Sequence, residues 1–439
     1  MIIAFATPPG VAGVAVARVS GNNLLKVFSA LLPDKTIARL KNNPARMVLS
    51  PIYDLKKELL DTGLVVYFED NKSFTGEEVL EFHVHGSPIV QEQLLENAFA
   101  LGVRLAEPGE FTRLAFLNGK LDLTQAEALG ELINAKTISQ KNLAQSILNG
   151  ELKNQIETMA AKLLAILLHI EASIDFPEEV VDLGDKQFLS VIDEVSDQIE
   201  KLIETAKEGV VIREGVRVAI VGKPNVGKSS FFNLLIKEDR AIVSATAGTT
   251  RDYLKEEMNY KGHLIKWIDT AGLRETFEEI EKIGIAKAKE QIKNSDLVIF
   301  LIDDLKDKPE VLSNQIIVFN KIDLVSQDHA VFKDKTVIPI SVLTNSGISQ
   351  FWDRFEKELN FFYSATTNHE ILINQRHRDS LYVALDLLRN LKQKINLNHE
   401  ADLLSIDLKE AVKFLKQVTG QEISETVLTE IFNKFCIGK

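Results

Sequence analysis

The hydrophobic and polar positions of the chain fall into four stretches of different rhythm. From the start to residue 117, short β-like runs alternate with turn signals. Val14–Val19 precedes Ser20-Gly21, Leu64–Phe68 precedes Glu69-Asp70-Asn71, and Val79–Val84 precedes His85-Gly86-Ser87-Pro88. This pattern predicts a small α+β domain. From 118 to 214 the period turns helical. Ile156, Met159, Leu163, Ile166 and Ile170 step by threes and fours onto one face, and Asp175-Phe176-Pro177 ends that helix. A second stripe follows at Phe188, Val191, Val195, Ile199 and Leu202, with acids and lysines between, as on the wet side of a bundle helix.

From 215 to 362 the runs Val216–Val221, Leu264–Ile268, Leu297–Ile302, Ile316–Phe319 and Val337–Ile340 alternate with helical stretches. Such alternation predicts a parallel sheet with crossover helices. From 363 to 439 the helical rhythm returns at Leu381, Leu385 and Leu388, then at Leu408, Val412 and Leu415. The expected architecture is an α/β domain inserted in an α-helical domain, preceded by the N-terminal α+β domain.

Composition narrows the class. At 439 residues the chain is too long for one hydrophobic core. Its 45% hydrophobic and 26% charged content is that of an ordinary globular protein. No window reaches the roughly eighteen apolar residues of a membrane helix, since Ala160–Ala172 is broken by Lys162 and His169. The opening Met-Ile-Ile-Ala-Phe has no basic leader, and one cysteine, Cys436, excludes an internal disulfide framework. A cytoplasmic protein is expected. The net charge of −12 argues against a surface that is an RNA platform throughout. Any RNA contact must be local, weak or shared with a partner.

The sharpest chemistry begins at Gly222-Lys223-Pro224-Asn225-Val226-Gly227-Lys228-Ser229. This P-loop pattern follows a predicted strand and opens an apolar helix (Phe231, Phe232, Leu234, Leu235), the context the motif requires. Its glycines let backbone N–H groups close around phosphate oxygens, and the helix start adds a favourable dipole. Lys228 would reach the β- and γ-phosphates and Ser229 would hold magnesium, with Asn225, Val226, Gly227 and Ser230 around the same phosphates.

Later motifs select the base. In Asp269-Thr270-Ala271-Gly272 the aspartate can hold the magnesium shell and the glycine N–H can face the γ-phosphate. In Asn320-Lys321-Ile322-Asp323, Asp323 can accept both N1–H and the exocyclic amine of guanine, a donor pair that adenine lacks. Ser341-Val342-Leu343 should close over the base, in place of the commoner Ser-Ala-Lys. Ser244-Ala245-Thr246-Ala247-Gly248-Thr249-Thr250 lies where a G domain places its switch threonine, so Thr250 is a second magnesium candidate.

Leu273 stands where Ras-like proteins carry a water-orienting glutamine, and an aliphatic side chain cannot orient water. The acidic run Glu275, Glu278, Glu279, Glu281 offers candidates, or is a solvated helix start. Asn225 and the Ser244–Thr250 loop together offer several oxygens that could hold a monovalent cation.

At this point the chain resembles the tRNA-modification GTPase MnmE (TrmE) family, nearly end to end. The resemblance rests on Ala6-Thr7-Pro8-Pro9-Gly10 with Arg18-Val19-Ser20-Gly21, on Phe74-Thr75-Gly76-Glu77-Glu78-Val79-Leu80-Glu81, and on Pro108-Gly109-Glu110-Phe111-Thr112. It continues through Ala115-Phe116-Leu117-Asn118-Gly119-Lys120-Leu121-Asp122-Leu123 to Phe435-Cys436-Ile437-Gly438-Lys439. Departures are Gly86-Ser87, where Gly-Gly is usual, and the base-closing loop.

The resemblance implies a homodimer built on N-terminal domains that bind a 5-formyl- or 5,10-methylene-tetrahydrofolate. Arg18, Glu81, Lys120 and Lys439 occupy the matching folate positions. It implies activation by potassium, held by Asn225, the Ser244 and Thr246 backbones and Thr249, with Glu281 as catalytic glutamate. Cys436 maps onto a cysteine implicated in modification. The family forms a hetero-oligomer with the flavin-dependent MnmG (GidA). Together they add an aminomethyl-type group, carboxymethylaminomethyl or aminomethyl at C5, to the wobble uridine of certain tRNAs.

Two rivals fit less well. A ribosome-assembly switch of the Era or EngA type would carry a KH-like Gly-x-x-Gly or a second G domain, yet only Gly420 and Gly438 follow residue 363. A folate scaffold with an idle G domain is at odds with the joint presence of Lys228, Asp269 and Glu281.

Overall fold

The computed structural model describes residues 1–175, 185–237, 257–268, 292–309, 314–326, 329–363, 371–397 and 401–438. The chain divides into two compact units, one of Met1–Gly130, Ile147–Gly184 and Asn390–Lys439, the other of Glu131–Ser146 and Asp185–Arg389.

The first unit carries a six-stranded sheet of β1 (Ile2–Phe5), β2 (Ala12–Gly21), β3 (Val48–Tyr53), β4 (Leu59–Phe68), β5 (Glu78–Gly86) and β6 (Arg104–Leu105), in the order β3-β4-β5-β2-β1-β6. Its pairings are antiparallel except β1 with β6. Alternation decides which side is buried. Ala15, Ala17 and Val19 of β2 and Leu80, Phe82 and Val84 of β5 join Leu24, Phe28, Leu40 and Leu94 in one core. Arg18 and Glu81, at the intervening positions, are directly opposite each other across the two strands.

Three strands of this sheet carry no strong sequence signal. β1 has four residues, β6 two, and β3 is interrupted by Pro51. Pro51 is tolerated because β3 is the sheet edge, where a missing N–H need not break a ladder. Helices complete the unit. In Glu151–Asp175 the stripe Ile156, Met159, Leu163, Ile166 and Ile170 is buried, as the spacing predicts. That helix packs on Ala401–Val418, which buries Leu408, Ala411, Val412 and Leu415, and Lys409 pairs with Glu171 at 2.6 Å.

The second unit is built on β7 (Val216–Val221), β8 (Glu257–Tyr260), β9 (His263–Trp267), β10 (Leu297–Ile302), β11 (Gln315–Phe319) and β12 (Val337–Pro339), in the order β12-β11-β10-β7-β9-β8. Five strands are parallel, as expected. The sixth, β8, is an antiparallel edge unanticipated by the sequence reading. It is joined to β9 by Lys261-Gly262, both left-handed at φ 50° and 91°, the conformation of a two-residue hairpin turn. Helices Asp185–Glu214, Lys228–Lys237 and Ile348–Tyr363 accompany the sheet. The stripe on Asp185–Glu214 shifts by one position. Ile192 is buried while Val191 is only partly so, alongside buried Val195, Ile199 and Leu202. Phe231, Phe232, Trp267, Phe351 and Phe355 form an interleaved aromatic core, with Phe232 edge-on to Trp267 at 5.7 Å.

This is a P-loop α/β G domain inserted in an α-helical domain, behind an N-terminal α+β domain.

Candidate functional site

The phosphate loop leaves the sheet where only glycine fits. A Cβ on Gly222 would lie 2.2 Å from the Leu301 carbonyl of neighbouring β10. Asn225 (φ 64°) and Gly227 (φ 98°) then take left-handed backbone, and a Cβ on Gly227 would lie 2.4 Å from Asn320 Nδ2. The helix starts at once, Phe231 N donating to Gly227 O at 2.9 Å. Ser229 and Ser230 stand in its first turn, where unpaired N–H groups and the dipole favour an anion.

Lys228 reaches back over the loop. Its Nζ donates to Gly222 O at 3.0 Å and Lys223 O at 2.8 Å, and burial holds its pKa below the ordinary lysine value. An ammonium parked on two neutral carbonyls is ready to exchange them for phosphate oxygens.

Asn320, at the end of β11 and buried, ties the loop to the predicted base pocket. Its Nδ2 donates to Val226 O at 2.9 Å, and its Oδ1 accepts from Val342 N at 3.2 Å. Lys321 (φ 65°) donates to Asp303 Oδ2 at 2.6 Å. Ser341, fully buried, donates from Oγ to Asp323 Oδ1 at 2.5 Å and accepts from Thr344 N at 3.1 Å. The hydroxyl fixes one Asp323 oxygen and so orients the carboxylate. Leu343 is 84% exposed on the rim of the same loop. Asn225 to Ser230, Asn320, Lys321, Asp323 and Ser341 to Leu343 are thus gathered at the carboxyl ends of β7, β11 and β12. Open α/β sheets bind ligands at that edge.

Ser244, Ala245, Thr246, Ala247, Gly248, Thr249, Thr250, Asp269, Thr270, Ala271, Gly272 and Glu281 lie outside the described residues.

A second cluster stands in the first unit. Arg18 Nε donates to Glu81 Oε1 at 2.7 Å, and the other Glu81 oxygen lies 3.4 Å from His83 Nε2. The Arg18 guanidinium sits 5.9 Å from the ring centroids of both Phe74 and Phe111. Phe74 rides a pinned turn. Ser20 Oγ and Thr75 Oγ1 are 2.7 Å apart, Asn118 Nδ2 donates to Thr75 O at 2.7 Å, and Lys120 Nζ donates to Asn71 O at 2.5 Å. Three of the four expected folate residues therefore meet around one turn; Lys439 lies outside the described residues.

The exposed Cys436 joins them through the backbone. Its carbonyl accepts from Gly109 N at 3.4 Å, two residues before Phe111. Gly438 (φ 94°) is pressed on β1, where an added Cβ would lie 2.2 Å from Phe5 O. Phe74, Phe111, Asn71 and Gly109 were not singled out from sequence, although each lies in or beside a motif that was. Asp303, which holds Lys321, had no sequence signal at all.

Two family models match the chain. Residues 123–436 match the MnmE helical domain, and residues 1–120 match the GTP-binding protein TrmE N-terminus. The tRNA modification GTPase MnmE of Aquifex aeolicus is 39% identical over 450 residues, covering 100% of this chain and 99% of its own. That of Thermoanaerobacter sp. (strain X514) is 38% identical over 458 residues with the same coverage. Among solved structures, the G domain of the T. maritima FeoB iron transporter aligns with 34% of this chain and 98% of its own. Its identity is 24% and its TM-score 0.23.

Proposed function

Because the chain belongs to the MnmE family of tRNA modification GTPases, we propose that it hydrolyses GTP and uses that cycle to modify the wobble uridine of certain tRNAs. One observation carries the nucleotide half of this reading. Asn320 links the phosphate loop to the loop whose Ser341 orients Asp323, so phosphate and guanine are addressed by one connected set of bonds. Lys228 binds and orients the β- and γ-phosphates, while Ser229 and Thr250 hold magnesium, which would neutralise charge developing between those phosphates. The half-buried Ser229 hydroxyl at the helix start suits that ligand. Glu281 orients the attacking water in place of a glutamine. Asn225, Ser244, Thr246 and Thr249 hold potassium, which would supply the positive charge that other GTPases take from an arginine.

The cluster of Arg18, Glu81 and Lys120, completed by Lys439, binds the tetrahydrofolate derivative in its 5-formyl or 5,10-methylene form. A carboxylate, two cations and flanking aromatic rings suit a flat heteroaromatic ligand with an anionic tail. Cys436 acts at that end of the molecule. The working division is an N-terminal folate-binding and dimerisation domain (1–117), helical parts at 118–214 and 363–439, and a G domain (215–362). The assembly we propose is a homodimer, joined by MnmG (GidA) and tRNA in the cytoplasm. No described helix is long and apolar enough to cross a membrane.

The deciding experiment is nucleoside mass spectrometry of tRNA from a deletion strain. The wild-type gene should restore an aminomethyl-type wobble uridine and Lys228→Ala should not. An unmodified nucleoside in the complemented strain would sink the proposal.

A further inference from the structure

Residues 26–57 hold seven cations against two acids, in a chain whose net charge is −12. Lys26, Lys35, Arg39, Lys41, Arg46 and the Lys56-Lys57 pair are all exposed. Elsewhere the surface cations are commonly neutralised: Lys136 by Glu257, Lys308 by Asp334, Arg354 by Glu358, Lys394 by Asp407. None of the seven forms such an ion pair among the described residues. The two acids are used locally. Asp54 Oδ1 accepts the amides of Lys56 and Glu58, and Asp34 sits in the first turn of helix Asp34–Asn42, facing its dipole.

The surface is held rigid. Buried Thr36 and Ser50 share a 2.8 Å hydroxyl bond, Tyr53 N donates to Leu31 O at 2.9 Å, and Lys57 Nζ donates to Ala30 O at 2.7 Å. Ala45 N donates to Tyr67 O at 2.7 Å and anchors the turn before Arg46. Lys35 and Arg39 are four residues apart on one helix face, about 5–6 Å between Cβ atoms. That spacing suits neighbouring phosphates of one strand.

We propose that this surface docks the phosphate backbone of tRNA, an inference that rests on the reading of the chain as tRNA-modifying. These cations have no ion pair among the described residues to lose on binding, so the release of counterions from the RNA is gained without that compensating loss. Since the rest of the chain is more acidic than the total, RNA is repelled elsewhere and held here. The surface therefore orients the substrate as well as attracting it. A bilayer is a poorer partner, because helix Asp34–Asn42 turns Leu40 into the core, and the exposed Met47, Leu49 and Leu55 lie outside that helix and form no amphipathic helical face to insert.

The test is fluorescence anisotropy with unmodified tRNA across a salt series, comparing the wild-type protein with K35E/R39E/R46E and with K186E/K201E/K357E, three exposed lysines with no ion pair among the described residues, as a matched reversal elsewhere. The first variant should bind at least about tenfold more weakly, with a salt slope shallower by about 2–3. The second should bind as wild type, and phosphate release and melting should match in all three. Equal affinity and slope in K35E/R39E/R46E would overturn the inference. So would wild-type binding to phosphatidylglycerol vesicles with none to tRNA. Nucleoside analysis separates the failures. If the wild-type gene restores the modified uridine while the first variant binds normally, only the docking surface is wrong. If the wild-type gene restores nothing, the tRNA reading has failed and this inference falls with it.

Discussion

The amide of Gly109 donates to the carbonyl of Cys436 at 3.4 Å, so residues more than three hundred positions apart stand together beside the Arg18 cluster. Cys436 belongs to the first unit and the phosphate loop to the second. Cys436→Ser should therefore leave phosphate release near wild type while abolishing wobble-uridine modification. Normal modified-nucleoside levels in the Cys436→Ser strain would return the cysteine to the role of a small surface residue.

Gly438→Ala tests the same docking by steric means. The added methyl would meet Phe5 O at 2.2 Å, from a left-handed backbone that alanine resists. Formyltetrahydrofolate binding by calorimetry should weaken about tenfold or more, for a strain of about 1–2 kcal/mol. GTP turnover should not change. Retained folate affinity would show that the segment does not need this contact.

Ser341→Ala removes the hydroxyl that aims Asp323 and leaves Thr344 N without its acceptor. Losing such a buried bond costs about 1–3 kcal/mol, so GTP affinity should fall roughly tenfold to a hundredfold. Asp323→Asn should weaken GTP further and reduce its advantage over ATP, since an amide cannot accept both guanine donors. Equal binding of ATP and GTP by the wild-type protein would refute guanine selection outright.

Lys228 supplies a pH dependence. Burial holds its pKa below the ordinary value when its partners are neutral carbonyls. Phosphate oxygens in their place raise it. Nucleotide binding therefore takes up a proton in the pH range between the lowered free-state pKa and the raised bound-state one. GTP affinity is constant below that pKa and declines as pH rises through it. Calorimetry in two buffers of different ionisation enthalpy, at about pH 9, should show more proton uptake by wild type than by Lys228→Arg, whose guanidinium stays charged. Identical uptake would reject the linkage.

Turnover should also depend on the alkali ion. If Asn225, Ser244, Thr246 and Thr249 hold potassium, phosphate release should rise steeply when potassium replaces sodium at constant ionic strength. Glu281→Ala should keep GTP binding but lose that hydrolysis. Equal rates in the two salts would remove the cation from the mechanism.

The sequence rhythm revealed what repeats and missed what happens once. The parallel strands and the Ile156–Ile170 face were legible because each buries several residues at a fixed period. Strand β3 was not, since Pro51 and Ser50 spoil its alternation and only its edge position makes it a strand. Strand β8 was missed because its hairpin turn, Lys261-Gly262, lacks the Asn-Gly or Asp-Gly signal. Motifs located Arg18, Glu81 and Lys120, but Asn71, whose carbonyl receives Lys120, is visible only in three dimensions. On Asp185–Glu214 the stripe holds at Val195, Ile199 and Leu202 and fails at one step, where Ile192, three residues before Val195, is buried in place of Val191.

The seat of Gly438 on Phe5 has a consequence for how the protein is made. Residues 2–5 leave the ribosome more than four hundred residues before 435–438. At about 5–20 residues per second, that interval lasts roughly 20–90 s. The N-terminal sheet can assemble early, yet the one-carbon pocket proposed on it stays incomplete until the distal segment emerges and seats. Nascent or truncated chains are thereby born without that pocket, and translation itself times when the chemistry becomes available.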